Sequence, residues 1–388
     1  MNKKSFLSVL KKNTMLIVLV LVYIAFVIIT KGSIFEPANF TSLIDQNAYV
    51  YILGAGMLMC MLTGGNIDLS CGSVVCVLGA LGGVFMTCWG LGTGVSILML
   101  LGCGVLYGVV LGFLIAYVHI PPWIATLAGY LAFRGLGTVI LMNNSSTSSI
   151  PIPDAFCNVF SGRVFATDKG VFNWVCFGAG IVAAMLIVFL AIRNRMSRRS
   201  KGYELEPMYM TVLKCVLECG VIILVTTKLA LDGGFPTVLL WVVGIVVIYG
   251  FITAKTTIGR HFYVVGGNIE AARLSGVNTR RIMFLAYLNM AVLTSIASMS
   301  VIGRFKNSYA AVGTNFEMDA ISACVVGGVS ASGGAGTVLG MVIGATLIGV
   351  INLGMSLVSL DMNYQRIIKG FVLLAAVVFD ILTKKREK

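Results

Sequence analysis

The segment VVGGNIEAARLSGVNTRR, residues 264–281, decides how this chain is read, because it is the longest polar, motif-like stretch in an otherwise apolar sequence. It lies between two apolar runs, 238–251 and 282–302. Asn268 is a good N-cap, with a side-chain oxygen able to accept an orphan backbone N–H, and Glu270 falls in the first turn, where the helix dipole favours an anion. Gly276 is a natural terminator, since glycine enters the left-handed conformation past a helix end without steric cost. The spacing therefore predicts a helix of about two turns over 269–275, entered through a sharp turn at Gly266 and Gly267. A helix this short does not hold alone in water. It either rests on its own membrane domain or is gripped by a partner, and the residues leave both open.

The rest of the composition says what surrounds it. Of 388 residues 58% are hydrophobic and only 11% charged, whereas a soluble domain runs near about 45–50% apolar and about 25% charged. The apolar blocks have helix-spanning length, so an α-helical bundle is expected rather than a β-barrel. Counting runs predicts an all-α, polytopic integral membrane protein: one permease-sized domain, 1–388, of about 10–12 transmembrane helices, some broken or half-length.

The net charge of +13 would suggest nucleic acid in a soluble protein. Here the cations cluster at the ends of apolar runs: Lys3, Lys4, Lys11 and Lys12; Arg193, Arg195, Arg198, Arg199 and Lys201; Lys255, Arg260, Arg273, Arg280 and Arg281; Lys384, Lys385, Arg386 and Lys388. Short basic loops mark the cytoplasmic face. The expectation is cytoplasmic termini, a bilayer partner and no nucleic acid. The basic start lacks a small-residue cleavage site after the run 15–30, which predicts an uncleaved first span. Ten cysteines with only His119 and His261 beside them form no metal-ligand spacing, and none is expected to hold a metal.

Two glycine-rich breaks interrupt the apolar pattern. The first, GGNIDLSCGS at 64–73, offers Asp68, Ser70 and Ser73 as caps for the helix that follows; the second, GGVSASGGAGT at 327–337, follows a short apolar stretch, 320–326, that Asp319 is placed to cap. No lysine precedes Thr337, so the second break is not a phosphate loop. Broken helices are tolerated at membrane depth only where protein or a water-filled cavity covers them. Asn66, Asp68, Ser70 and Ser73, with Arg134, Asp319, Ser330 and Ser332, are thus candidates for a polar path as well as for capping. Arg134 should face protein or a lumen, because lipid exposure is costly. Residues 33–47 and 143–170 read as polar outer connections. Lys214 and Glu218, at i and i+4, are expected to pair on one helix. Asp380 is expected to meet a lysine near the basic tail. Gly340, Gly344 and Gly349 suit tight helix packing.

In combination these motifs resemble the sugar permease subunits of ATP-binding-cassette importers, the ribose, xylose and galactose group. The matching residues are Gly266-Gly267-Asn268, Glu270-Ala271-Ala272 and Ser275-Gly276; the first break, with Asn66 as an additional residue after the glycines; Arg134-Gly135; and the second break with its acid-Ala-Ile lead. Residues 193–235 resemble an extra helix pair that smaller members lack. The resemblance implies that 255–281 is a cytoplasmic coupling loop whose helix, Arg273 included, fits a groove on an ATPase subunit. It also implies a second permease copy, an extracytoplasmic sugar-binding protein, and ATP and Mg²⁺ used by the partner rather than bound by this chain. A bacterial inner-membrane location follows. Related permeases carry branched-chain amino acids or nucleosides, which stays open as cargo. An ion-coupled carrier would need more buried acids, and no convergent set of groups suggests a membrane enzyme.

Overall fold

The computed structural model describes residues 14–168, 170–203 and 207–385. The leading lysines, Arg386 and Lys388 lie outside the described residues, as does the side chain of Asp380. The chain folds as helices: α1 (Thr14–Ile29), α2 (Pro37–Leu62), α3 (Cys71–Gly83, continued by a π-helical turn Val84–Cys88), α4 (Thr93–Ala116), α5 (Pro122–Asn144), α6 (Asp154–Ser161), α7 (Trp174–Ser200), α8 (Met208–Leu231), α9 (Thr237–Lys255), α10 (Thr257–Gly267), α11 (Ile269–Leu274), α12 (Thr279–Phe305), α13 (Phe316–Val326), α14 (Val338–Leu357) and α15 (Met362–Lys385). Two short antiparallel pairs join loops: β1 (Ser149–Pro151) with β4 (Asn307–Tyr309), and β2 (Arg163–Val164) with β3 (Phe235–Pro236).

Among the described residues, eight helices are long and apolar enough to cross a membrane: α3 with its π turn, α4, α5, α7, α8, α9, α12 and α14. The protein is an all-α polytopic membrane protein. Beside these eight stand the shorter apolar helix α1, α2, which carries Asp45-Gln46-Asn47 in its first half, and α15, which carries Gln365, Arg366 and Lys369 and includes residues whose side chains lie outside the description.

The chain forms two compact bodies. The second comprises Phe35–Ser42 and Arg163–Thr237, wider than the expected insertion 193–235. Its helices α7 and α8 run antiparallel, Cys219 Sγ donating to the Ala184 carbonyl at 3.6 Å. Asn173 caps α7, accepting from Cys176 N at 2.9 Å, and Arg163 pairs with Asp232 at 3.0 Å. None of the α8 span and 17% of the α7 span is buried, which leaves an apolar surface suited to lipid. α7 continues through the arginine cluster to Ser200, since arginine forms helix well and a cation near the C-terminus complements the dipole.

The first body holds the core. α2 is its centre, with Val50, Ile52, Leu53, Met57 and Leu58 at 0% exposure, and α12 packs against α3, α4 and α6. Between α13 and α14 small residues let backbones touch: a Cβ at Gly344 would stand 2.0 Å from the Ala323 carbonyl, and one at Gly340 2.3 Å from that of Gly327.

Two expectations fail here. Residues 33–47 are no loop: Pro37 opens α2, its missing N–H being one that a helix start leaves unbonded anyway, so polar Asp45 to Asn47 sit on a helix. Residues 143–170 hold β1 and α6, whose Phe156, Cys157 and Phe160 bury one face; Phe160 stacks on Trp241 at 5.3 Å.

Candidate functional site

α11 forms where the capping pattern places it. Asn268 Oδ1 accepts from Ala271 N at 3.0 Å, Gly276 takes φ +81°, and Val277 N closes the end on the Ala272 carbonyl at 3.0 Å. One side chain, Ala272, is buried; Glu270, Ala271, Arg273 and Ser275 face outward. Glu270 and Arg273 meet at 3.3 Å but are 67% and 70% exposed, a pair worth little to stability. Leu274 is 85% exposed. Sequence reading did not single it out, because leucine carries no motif signal.

Gly266 and Gly267 make no turn. Both are helical, the last residues of α10, which Thr256 opens by accepting from Gly259 N at 3.0 Å. Close approach is what requires glycine at 266. A Cβ there would stand 1.7 Å from the Leu62 carbonyl oxygen and 2.6 Å from Gly334 N, while at Gly267 nothing lies within 4 Å. The same spot joins the two breaks: Gly334 N donates to Leu62 O at 3.2 Å, and a Cβ at Gly65, whose φ is +75°, would meet the Ala331 carbonyl at 2.0 Å. Tyr263 on α10 donates to Gly336 O at 2.9 Å. The end of α10, from which α11 hangs, is thus keyed into both breaks at once.

The candidate path residues separate into distinct jobs. Asp68, 1% exposed, accepts from Ser70 N at 2.8 Å and from Ser70 Oγ, which also bonds Tyr107. This turn, not a side-chain cap, starts α3: Ser70 is the N-cap residue but makes no capping bond of its own, and Ser73 is buried with its hydroxyl unmatched. Asn66 donates to Thr63 O at 3.0 Å and steadies the break. Ser330 and Ser332 bond each other at 2.9 Å and close the second break on itself. Arg134 faces protein, donating to the carbonyls of Ala310 (3.3 Å), Val312 (2.8 Å) and Gly313 (3.0 Å). These are acceptors of the irregular backbone between α12 and α13, which has no helical or strand partners of its own and needs such a donor.

Asp319 is not the N-cap of α13. Asn315, in the left-handed region, holds that position, because Phe316 to Met318 already belong to the helix. Asp319 points inward instead, 3% exposed, accepting from Lys369 Nζ at 2.9 Å and from Tyr49 OH at 2.6 Å. That pair opens on a feature no sequence pattern announced: a polar cavity of about 230 Å³ among α2, α12, α14 and α15, lined by Asp45, Asn47, Tyr49, Arg304, Asn352, Gln365 and Lys369. Tyr49 stacks on Phe316 with centroids 3.7 Å apart. Asn47 Oδ1 and Asn352 Oδ1, on residues that line the cavity, are buried and make no hydrogen bond among the described residues. These groups come from four helices: Asp45, Asn47 and Tyr49 from α2, Arg304 from α12, Asn352 from α14, and Gln365 and Lys369 from α15. A sharper reading of Asp45-Gln46-Asn47 next to an apolar run would have been the one available signal.

Helices broken at glycine junctions, an exposed short helix joined to those junctions, and a polar cavity inside an apolar bundle fit one class, the membrane permeases of transport systems. The chain belongs to the family described as the permease component of the branched-chain amino acid transport system, whose model matches residues 39–377. It is 33% identical over 380 residues to the xylose transport system permease protein of Haemophilus influenzae, covering 96% of each chain. It is 28% identical to the fructose import permease protein of Rhizobium meliloti (95% of this chain, 85% of that one) and 28% identical to the ribose import permease protein of Escherichia coli strain K12 (94% and 92%). No solved structure gives a significant match.

Proposed function

We propose that this chain is the membrane-spanning subunit of an ATP-binding-cassette importer, passing a monosaccharide handed over by an extracytoplasmic binding protein and driven by separate ATPase subunits that hold ATP and Mg²⁺. The names of the xylose, fructose and ribose relatives support the cargo class. The observation that carries the mechanism is the junction of Gly266, Leu62 and Gly334. A partner that grips α11 moves α10, and α10 cannot move without disturbing both breaks, so differential grip on two states of the ATPase becomes a differential state of the bundle.

In this reading α11 faces the cytoplasm, in a bacterial inner membrane, with Arg260, Arg280 and Arg281 marking that side; two copies of the chain pair in the membrane, and both termini are cytoplasmic. Leu274 is the apolar anchor for the ATPase groove, ringed by Glu270 and Arg273. The polar cavity at the opposite half of the bundle suits a neutral polyol. Taking about 30 Å³ per water, its 230 Å³ equals about eight waters, and its amides and hydroxyl exchange bonds with sugar hydroxyls at little net cost. A branched-chain amino acid is the second reading, favoured by the family description and by Arg304 and Lys369, which would meet a carboxylate.

The test is reconstitution in liposomes with its ATPase and binding protein, assayed against sugars and branched-chain amino acids. ATP-dependent sugar uptake is expected, and Glu270→Ala with Arg273→Ala uncouples hydrolysis from it. Uptake by this chain alone, driven by an ion gradient, would overturn the proposal.

A further inference from the structure

We propose that Arg304 is the specificity-determining residue of the polar cavity, holding two adjacent hydroxyls of the cargo in its guanidinium fork, so that the cargo is a monosaccharide with a free vicinal diol. This rests on the reading of the chain as a sugar permease and narrows it. Arg304 stands in the last turn of α12, where the carbonyl end of the helix favours a cation without an acid bound to it. Among the described residues its guanidinium makes no hydrogen bond and no ion pair; it lies over the Phe305 ring, 4.9 Å from the centroid, with Asp45, Tyr49 and Tyr309 within electrostatic reach. The cavity's other cation is already committed, since Lys369 Nζ meets both oxygens of Asp319, at 2.9 and 3.1 Å. Arg304 thus brings uncommitted donors to the cavity wall, in the planar array that takes two neighbouring oxygens at once.

Asp45 lines the same cavity, and it decides what the fork takes. A carboxylate seated on Arg304 brings its charge up to that of Asp45, and like charges in a desolvated site oppose one another. A hydroxyl pair is uncharged: its oxygens accept from the guanidinium while its hydrogens remain free to reach a carboxylate. The zwitterion of a branched-chain amino acid escapes the repulsion through its ammonium, but its alkyl group then needs an apolar pocket. Beyond the fork the wall offers Ser300, Asn352, Ser356 and Gln365, while Phe316 and Phe305 each have a ring face taken, by Tyr49 and by Arg304. Methyl groups set against those hydroxyls and amides would strip them of water and return no hydrogen bond.

The experiment is titration of the full chain in nanodiscs, followed by saturation-transfer NMR, with D-xylose, D-ribose, D-fructose and leucine, and then with the monodeoxy forms of whichever sugar binds. In the wild type, removal of either of two adjacent hydroxyls should weaken binding about tenfold, as loss of a hydrogen bond to a charged group does. Arg304→Gln should bind the parent sugar more weakly by at least that factor and no longer separate it from those two deoxy forms. Arg304→Lys keeps the charge at the helix end and loses the fork; it should melt with the wild type and distinguish one deoxy form instead of two, which carries the test if the glutamine variant fails to fold. Sugar binding with the same deoxy pattern in the wild type and in either variant would overturn the role of Arg304 and leave the sugar reading standing. Binding of leucine and of no sugar, or of none of the four, would overturn both.

Discussion

Replacing Gly266 and Gly267 one at a time by alanine tests the junction directly, because the two neighbours share a helix and differ in what stands over them. At Gly266 the new methyl would sit 1.7 Å from the Leu62 oxygen and 2.6 Å from Gly334 N, so backbone must retreat by about 1.5 Å to reach tight van der Waals contact. That movement opens the 3.2 Å bond from Gly334 N to Leu62 O. Losing it costs about 1–3 kcal/mol for a buried polar group left unmatched, and overpacking adds about 1–3 kcal/mol, giving about 2–6 kcal/mol in all. At Gly267 nothing lies within 4 Å, and alanine in place of helical glycine stabilises by up to about 1 kcal/mol. Melting of the detergent-purified proteins, followed by tryptophan fluorescence, should put Gly266→Ala well below wild type and Gly267→Ala at or above it. In the reconstituted importer Gly266→Ala should also lose ATP-driven uptake out of proportion to hydrolysis. Equal melting of the two variants, or Gly267→Ala as the weaker, would refute the claim that α10 is keyed into the breaks.

Further outcomes follow from the same contacts. Arg134→Met strands three backbone carbonyls and should destabilise by about 3 kcal/mol or more; Arg134→Lys should recover part of it, as read by thermal melting. Lys369→Met leaves Asp319, whose side chain is 4% exposed, as an unpaired buried acid at a cost of about 3–5 kcal/mol, and adding Asp319→Asn should restore melting toward wild type. Leu274→Asp should leave stability within about 0.5 kcal/mol, yet weaken pull-down of the ATPase by about thirtyfold, as loss of an interface anchor worth about 2 kcal/mol does. Asn352→Leu, which removes one unmatched acceptor and narrows the cavity, should raise the apparent KM for sugar while ATP hydrolysis without sugar is unchanged.

Where a structure depends on nearest neighbours, the sequence was readable. Asn268, Glu270 and Gly276 place α11 to within a residue, because cap, dipole and terminator all act inside nine residues. The glycine density at 64–73 and 327–337 marks both breaks for the same reason. What failed depends on distant partners. Asp319 looks like a cap until Lys369 and Tyr49 arrive from α15 and α2. Gly266 looks like a turn until the Leu62 carbonyl closes on it across two hundred residues of chain. Asp45, Gln46 and Asn47 read as a loop because polarity alone cannot separate a surface from a cavity wall. α6 was lost in a polar stretch since its buried face needs Trp241 and α12 to explain it.

The cavity has a consequence for how the protein is made. Among the groups that line it, Asp45 sits on α2 and Lys369 on α15, and a translocon judges each helix largely by its own residues. Asp45 and Lys369 at depth in a lone segment face hydrocarbon with nothing to shield them. Those two helices should therefore enter the bilayer late and in company, α15 completing its insertion only once the carboxylate of Asp319 is there to receive its lysine. A truncation ending before residue 362 would be expected to leave Asp319 without its lysine, so the burial of that acid on α13 waits on the last helix.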